Sequence, residues 1–174
     1  MIYMKTTIQL FILASVLLAL SCGGSAPARN TKTGLTTGVQ PVADPEVAVI
    51  EMENSAAYGT ITIELYSNIA PKMVAQFKTL AKEGAYNGTT FHRVNQSVIQ
   101  GGDPNSKDDD PANDGMGNSN KPNVPAEFSD IPYDAGIVGA ARSQDKNSAN
   151  SQFFITLKRE PGFDKNYTIF GKVI

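Results

Sequence analysis

Residues Phe91 to Asp103 read FHRVNQSVIQGGD. The span combines an aromatic, a His, an Arg, branched apolar residues, Gln and a glycine pair. It is too rich for a plain strand and too apolar for a plain loop. Thr90 to Val94 has the composition of a short strand and Ser97 to Gln100 that of a second. Gly101-Gly102 ends the pair, because paired glycines favour turns with positive φ. Neighbouring strands carrying Arg93 and Gln100 can point both side chains at one groove. An edge hairpin with a solvated Arg fits the same residues, and this stretch alone does not separate the two readings.

Upstream, Val47 to Glu53 and Gly59 to Tyr66 read as strands joined by a turn over 54–58. The second alternates Ile61, Ile63 and Leu65 with Thr60, Thr62 and Glu64, the period of a half-buried strand. Pro71 to Glu83 reads as an amphipathic helix, with Pro71 at its first position, Gly84 at its exit, and Val74, Phe77, Leu80 and Ala81 on one face. Downstream, Asp103 to Pro125 is a long loop without an aromatic residue. Its acids invite a calcium reading, but a loop starting at Asp110 puts Ala112 at position 3 and Lys121 at position 12, where oxygen ligands are required. Gly136 to Ala141, Gln152 to Leu157 and Thr168 to Val173 complete a set of short strands separated by turn signals, as in sandwiches and barrels.

The first 21 residues differ from the rest. Lys5 precedes Ile8 to Leu20, which is apolar except for Gln9 and Ser15. This is short for a membrane span and suits a secretion signal. Ala19-Leu20-Ser21-Cys22 resembles a bacterial lipobox, although Leu is more usual where Ala19 stands, so Cys22 is expected to become a lipidated N-terminus. It is the only cysteine, which excludes an intramolecular disulfide. Gly23 to Asp44, rich in Gly, Thr, Ala and Pro, reads as a flexible tether that would span on the order of 25 Å as a coil. The expected organisation is a signal peptide over 1–21, a lipid-anchored linker over 22–45 and one domain over 46–174. Without the leader the chain carries 14 basic and 17 acidic side chains, a formal charge of −3. No Lys/Arg cluster suggests nucleic acid. One His and one Cys make no typical zinc site, and no GxSxG nucleophile elbow is present.

Two further stretches, GIVGAARSQDKNSANSQFFI (Gly136 to Ile155) and FDKNYTIFGKV (Phe163 to Val173), stand at set distances from FHRV and QGGD. Together these motifs resemble the bacterial cyclophilin-type peptidyl-prolyl isomerases, from about Val47 to the last residue. The resemblance implies an all-β fold, an antiparallel barrel of eight strands with helical caps. The family continues beyond the FGKV strand for about one helix and one strand, and that last strand pairs with the first. A chain ending at Ile174 is therefore expected to leave an open seam beside Val47 to Glu53.

The resemblance also implies a chemistry. Rotation about the bond before proline costs roughly 18–20 kcal/mol in lost amide resonance. In the twisted state the proline nitrogen gains a localised lone pair, and a fixed donor aimed there stabilises that state and not the planar one. Arg suits the task because it stays charged and holds rigid donors. No cofactor or metal is required. By resemblance Arg93 is the catalytic Arg and Gln100 holds substrate backbone. Phe154 floors the proline pocket and Phe163 forms a second apolar wall. Ala141, Arg142 and Ser143 pair with substrate backbone, Gln152 positions the Arg93 side, and Tyr167 stands where many members carry His. His92 is expected to be packed and hydrogen-bonded rather than an acid–base group.

The chain also departs from the family. It is one residue short between Val94 and Gln100, and Ser97 and Val98 replace a Phe and a Met at the substrate site. Gly162 stands at a position often aromatic, and Lys165-Asn166 replaces Gly-Lys. Lost apolar area weakens proline binding by about 25 cal/mol per Å². The expected function is a monomeric isomerase acting on proline-containing polypeptides outside the cytoplasmic membrane. The alternative is a proline-binding or chaperone module with little catalysis.

Overall fold

A computed structural model describes residues 5–12, 34–53 and 59–174. Its main sheet is antiparallel and eight-stranded, ordered β1-β3-β4-β10-β8-β9-β6-β5. The strands are β1 (Lys5–Ile12), β3 (Glu46–Glu53), β4 (Gly59–Leu65), β5 (Arg93–Val94), β6 (Val98–Gly101), β8 (Ile137–Ala140), β9 (Phe153–Thr156) and β10 (Ile169–Val173). A two-stranded parallel pair joins β2 (Leu35–Thr36) to β7 (Phe128–Ser129). One α-helix, α1 (Pro71–Lys82), buries Met73, Val74, Phe77, Leu80 and Ala81. This is the barrel-like, mostly β fold with a capping helix that the sequence implies.

The helix has no side-chain cap of its own at Ala70. Glu127 supplies one from a distance, accepting from the Lys72 and Met73 N–H groups at 3.0–3.2 Å. That satisfies donors the first turn leaves open and sets a negative charge at the positive helix end. At the other end Gly84 takes φ +70°, the left-handed exit that Gly favours.

Apolar residues lie on both faces of the sheet. Facing α1, Ile50, Ile63, Leu65, Val138, Phe153, Ile155 and Phe170 form the main core. Phe77 of the helix meets Phe153 edge-on with ring centroids 5.6 Å apart. On the opposite face Val98, Ile137, Phe154 and Ile169 join Tyr66, Ile69 and Tyr133 in a second cluster. Neighbours along a strand point to opposite sides, so Phe153 and Phe154 serve different cores. This two-sided burial explains why IVGA and the FFI of β9 are continuously apolar while β4 alternates.

Two expectations at the N-terminal side are corrected. Val47 to Glu53 is not an unpaired edge, because β1 pairs antiparallel along all of β3, from Lys5 opposite Glu53 to Ile12 opposite Glu46, while β4 pairs on the other side. The apolar run that reads as a signal segment also has β-forming composition, and an open strand edge accepts such a partner. The expected tether is docked from Leu35 onward. Leu35 and Thr36 pair with Phe128 and Ser129, and the Gly38 N–H donates to Asp130. Further on, Val42 N–H donates to the Asn68 side chain, and Asp44 binds Ser67 and Lys78. Cys22 and the 54–58 turn lie outside the described residues.

Candidate active site

The hairpin of β5 and β6 sets Arg93 directly opposite Gln100. Gln100 in turn faces Phe154 on β9, and Phe154 faces Gly139 on β8. Register partners share a face, so these four residues form one row across four strands. The residue missing between Val94 and Gln100 is absorbed in the turn. There the Asn95 N–H donates to the Val98 carbonyl, and the Asn95 side-chain oxygen accepts from Ser97 and Val98 N–H at 2.8 and 2.9 Å. This Asx turn replaces a longer loop and leaves the Arg93–Gln100 pairing intact.

Phe154 is nine-tenths or more buried and enclosed by three rings. Tyr133 stacks on it at 5.7 Å between centroids, and Phe163 and Tyr167 meet it edge-on at 5.4 Å. Gly139 beneath leaves room for the ring, since a Cβ there would sit 2.4 Å from Phe154 Cζ. Above this floor opens a cavity of about 150 Å³ lined by Arg93, Val98, Gln100, Ala141, Arg142, Phe154, Phe163 and Tyr167. Eight of the expected site residues therefore converge. The Arg93 side chain is exposed and makes no hydrogen bond or ion pair among the described residues.

A larger cavity of about 490 Å³ adjoins it, sharing Gln100, Ala141 and Arg142 and adding Ser143 and Gln152 with residues 115–118. Gln152 makes no hydrogen bond to Arg93 and reaches the Arg93 side of the site through Gln100, the residue opposite Arg93. The Gln152 side-chain oxygen accepts from Gln100 Nε2 at 3.0 Å, and its own Nε2 donates to the Gly115 and Gly117 carbonyls at 3.1 and 2.8 Å. Gln152 thus orients Gln100 and ties it to the long loop. The loop is itself pinned by fully buried Asp103, which accepts from the N–H groups of Asn105, Gly115 and Gly117. Among the described residues no cluster of acids, His or Cys could hold a metal ion.

Ser97 lines neither cavity; its carbonyl is bonded to Leu157 N–H instead. His92 is packed but not hydrogen-bonded, since neither ring nitrogen finds a partner among the described residues. Burial holds its pKa below the ordinary imidazole value, against the pull of Asp103 and Asp114. Sequence reasoning missed Tyr133, whose ring backs the pocket floor and whose buried hydroxyl has no partner among the described residues. Burial pushes that phenol far above its usual pKa. A lone Tyr in an aperiodic stretch carries no sequence signal, whereas a Gly inside the apolar strand IVGA does mark a close approach.

Residues 49–174 match the family model described as cyclophilin type peptidyl-prolyl cis-trans isomerase. A probable peptidyl-prolyl cis-trans isomerase of Brucella suis is 48% identical over 137 residues, covering 76% of this chain and 68% of that protein. Peptidyl-prolyl cis-trans isomerase ppi1 of Schizosaccharomyces pombe is 41% identical over 135 residues, covering 74% and 79%. The crystal structure of a Cryptosporidium parvum cyclophilin-type isomerase, determined in the presence of the dipeptide Ala-Pro, aligns with a TM-score of 0.59 and 34% identity, over 67% of this chain and 73% of that one. With an eight-residue cavity built on matching strands, and with this share of its length matched, the chain belongs to the cyclophilin-type peptidyl-prolyl cis-trans isomerases.

Proposed function

We propose that this isomerase takes a proline ring into the small cavity against Phe154 and Phe163, with Arg93 donating to the proline nitrogen as the bond twists. The observation that carries the reading is the row Arg93–Gln100–Phe154, which puts a donor, a backbone-holding amide and an apolar floor on one face. Because the Arg93 side chain has no ion pair to break among the described residues, its donors can turn to the transition state. Gln100, oriented by Gln152, holds the substrate carbonyl; alongside, the Ala141 N–H is bonded to Gln152 and the Ser143 N–H to Ser148, which leaves the Arg142 backbone groups between them for substrate. Removing Arg93 takes away a donor that acts only in the twisted state. Arg93→Ala is expected to lower kcat/KM on a short Xaa-Pro peptide roughly 100-fold or more, while peptide binding persists more weakly. Exchange NMR on the same peptide measures both, and unchanged turnover overturns the mechanism.

We also infer that the enzyme assists protein folding in the bacterial cell envelope, held by a lipid on Cys22. Lys5, the apolar run and the Ser-Cys-Gly ending support this; processing at Cys22 would remove residues 1–21, and β1 with them, so that β3 becomes a sheet edge in the anchored form. Labelling with a fatty-acid analogue followed by fractionation is the test. Wild type should label and sediment with membranes, and Cys22→Ala should do neither. An unlabelled wild type refutes the anchor.

A further inference from the structure

The small cavity holds two guanidinium groups and no carboxylate. Among the described residues the Arg93 side chain has no partner, and Arg142 binds only neutral oxygens. Its Nε and Nη2 donate to the Asn166 carbonyl at 3.3 and 2.9 Å, and its Nη1 to the carbonyls of Ser143 and Gln144 at 2.8 and 3.5 Å. The group also lies 4.6 Å over the Tyr167 ring. These contacts fix the guanidinium without neutralising it, and they leave one Nη2 donor uncommitted. Arg159, by contrast, pairs with Asp134 and Asp164.

Placement gives this charge its meaning. Arg142 lines both the small cavity and the larger one beside it. A chain whose proline occupies the first must cross Arg142 to reach the second. Resting on the isomerase reading above, we propose that Arg142 selects polypeptides with an acidic side chain, Glu or Asp, next to the proline. A fixed, uncompensated guanidinium attracts a carboxylate and repels an ammonium, so the discrimination combines a positive and a negative element.

The experiment compares kcat/KM for matched peptides in which the residue before the proline, and separately the residue after it, is Glu, Gln or Lys. On at least one side wild type should favour Glu over Gln by about two- to fivefold, the range of a partly exposed ion pair, with Lys lowest. Arg142→Gln should bring the three together. Arg142→Lys, which keeps the charge but not the fork, should retain part of the order. The ratio between peptides is the readout, because Arg142 also holds the Asn166 and Ser143 carbonyls. Raising NaCl from 20 to about 500 mM should shrink the ratio. Equal rates on both sides in wild type, or a Glu preference that survives Arg142→Gln, overturn the proposal. If no peptide is turned over, the isomerase reading fails, and calorimetric affinities for the same peptides decide the charge preference on the same criteria.

Discussion

Lys165 is the one described residue other than glycine with positive φ, at +60°. It sits in the segment between Phe163 and Tyr167, at a position where the family resemblance leads one to expect Gly. A side chain in the left-handed region costs roughly 1–2 kcal/mol from the clash of Cβ with backbone oxygen. Lys165→Gly regains part of that, less the added entropy of a freer unfolded chain. The expected net gain is about 0.5–1 kcal/mol, a rise in Tm of about 1–4 °C for a chain of this size, read by calorimetry. An unchanged or lower Tm would show that the segment is held by contacts that offset the strain, such as the Asn166 side-chain bond to the Gly162 carbonyl.

Among the elements, the β5–β6 hairpin concentrates the most consequence in the fewest residues. Its turn depends on the Asn95 side chain, which satisfies two N–H groups. Asn95→Ala should cost about 1–2 kcal/mol in urea unfolding and lower kcat more than stability alone explains, because Arg93 lies two residues away. Equal kcat in the variant would mean that the strand pairing holds Arg93 without the turn. The existence of this hairpin was legible from FHRV and QGGD, and the helix from its apolar spacing. The face that each strand residue takes was legible for β4, where Ile and Thr alternate. In IVGA and FFIT both faces are buried, so periodicity is silent and only the family pattern separated Phe154 from Phe153. The role of Ser97 was misplaced because a deletion displaces side chains by a turn geometry that residue type does not encode. The Gln152–Gln100 bond links residues 52 apart in sequence, and no local signal reports it.

For the whole molecule, the segment from Leu35 to Asp44 straps the domain outside the part that matches the family. Asp44 is its firmest point, bound to Ser67 Oγ and Lys78 Nζ at 2.6 Å each. Burial acts against the Asp44 charge, but the bonds from Lys78 and Ser67 outweigh it and hold the carboxyl below the usual carboxylate range. A group so depressed contributes stability that is complete above its unfolded pKa of about 3.9 and lost as pH falls through the folded value. Asp44→Asn should therefore be less stable than wild type by about 1–2 kcal/mol at pH 7, and the difference should start to shrink as pH falls below about 4. Urea midpoints from pH 3 to 8 provide the check, and a constant difference would assign the loss to packing rather than charge. A repetitive Gly/Thr/Ala composition suggested a free tether, since the long-range bonds that dock it leave no periodic trace.

The row of Arg93, Gln100, Phe154 and Gly139 has a consequence for how such a protein can be varied. Its alignment is written in ladder hydrogen bonds, and a slip of one residue along a strand would turn every side chain of that strand to the other face. Insertions and deletions are thus tolerated at the connections and forbidden within β6, β8 and β9. The shortened turn at Asn95 is one such accepted edit. A combinatorial library aimed at new peptide preferences can randomise length over 143–148, where Ser143, Gln144 and Asp145 are exposed, and should hold the four strands to fixed length. Length diversity in the strands would yield mostly inert clones, and length diversity in the connections mostly folded ones.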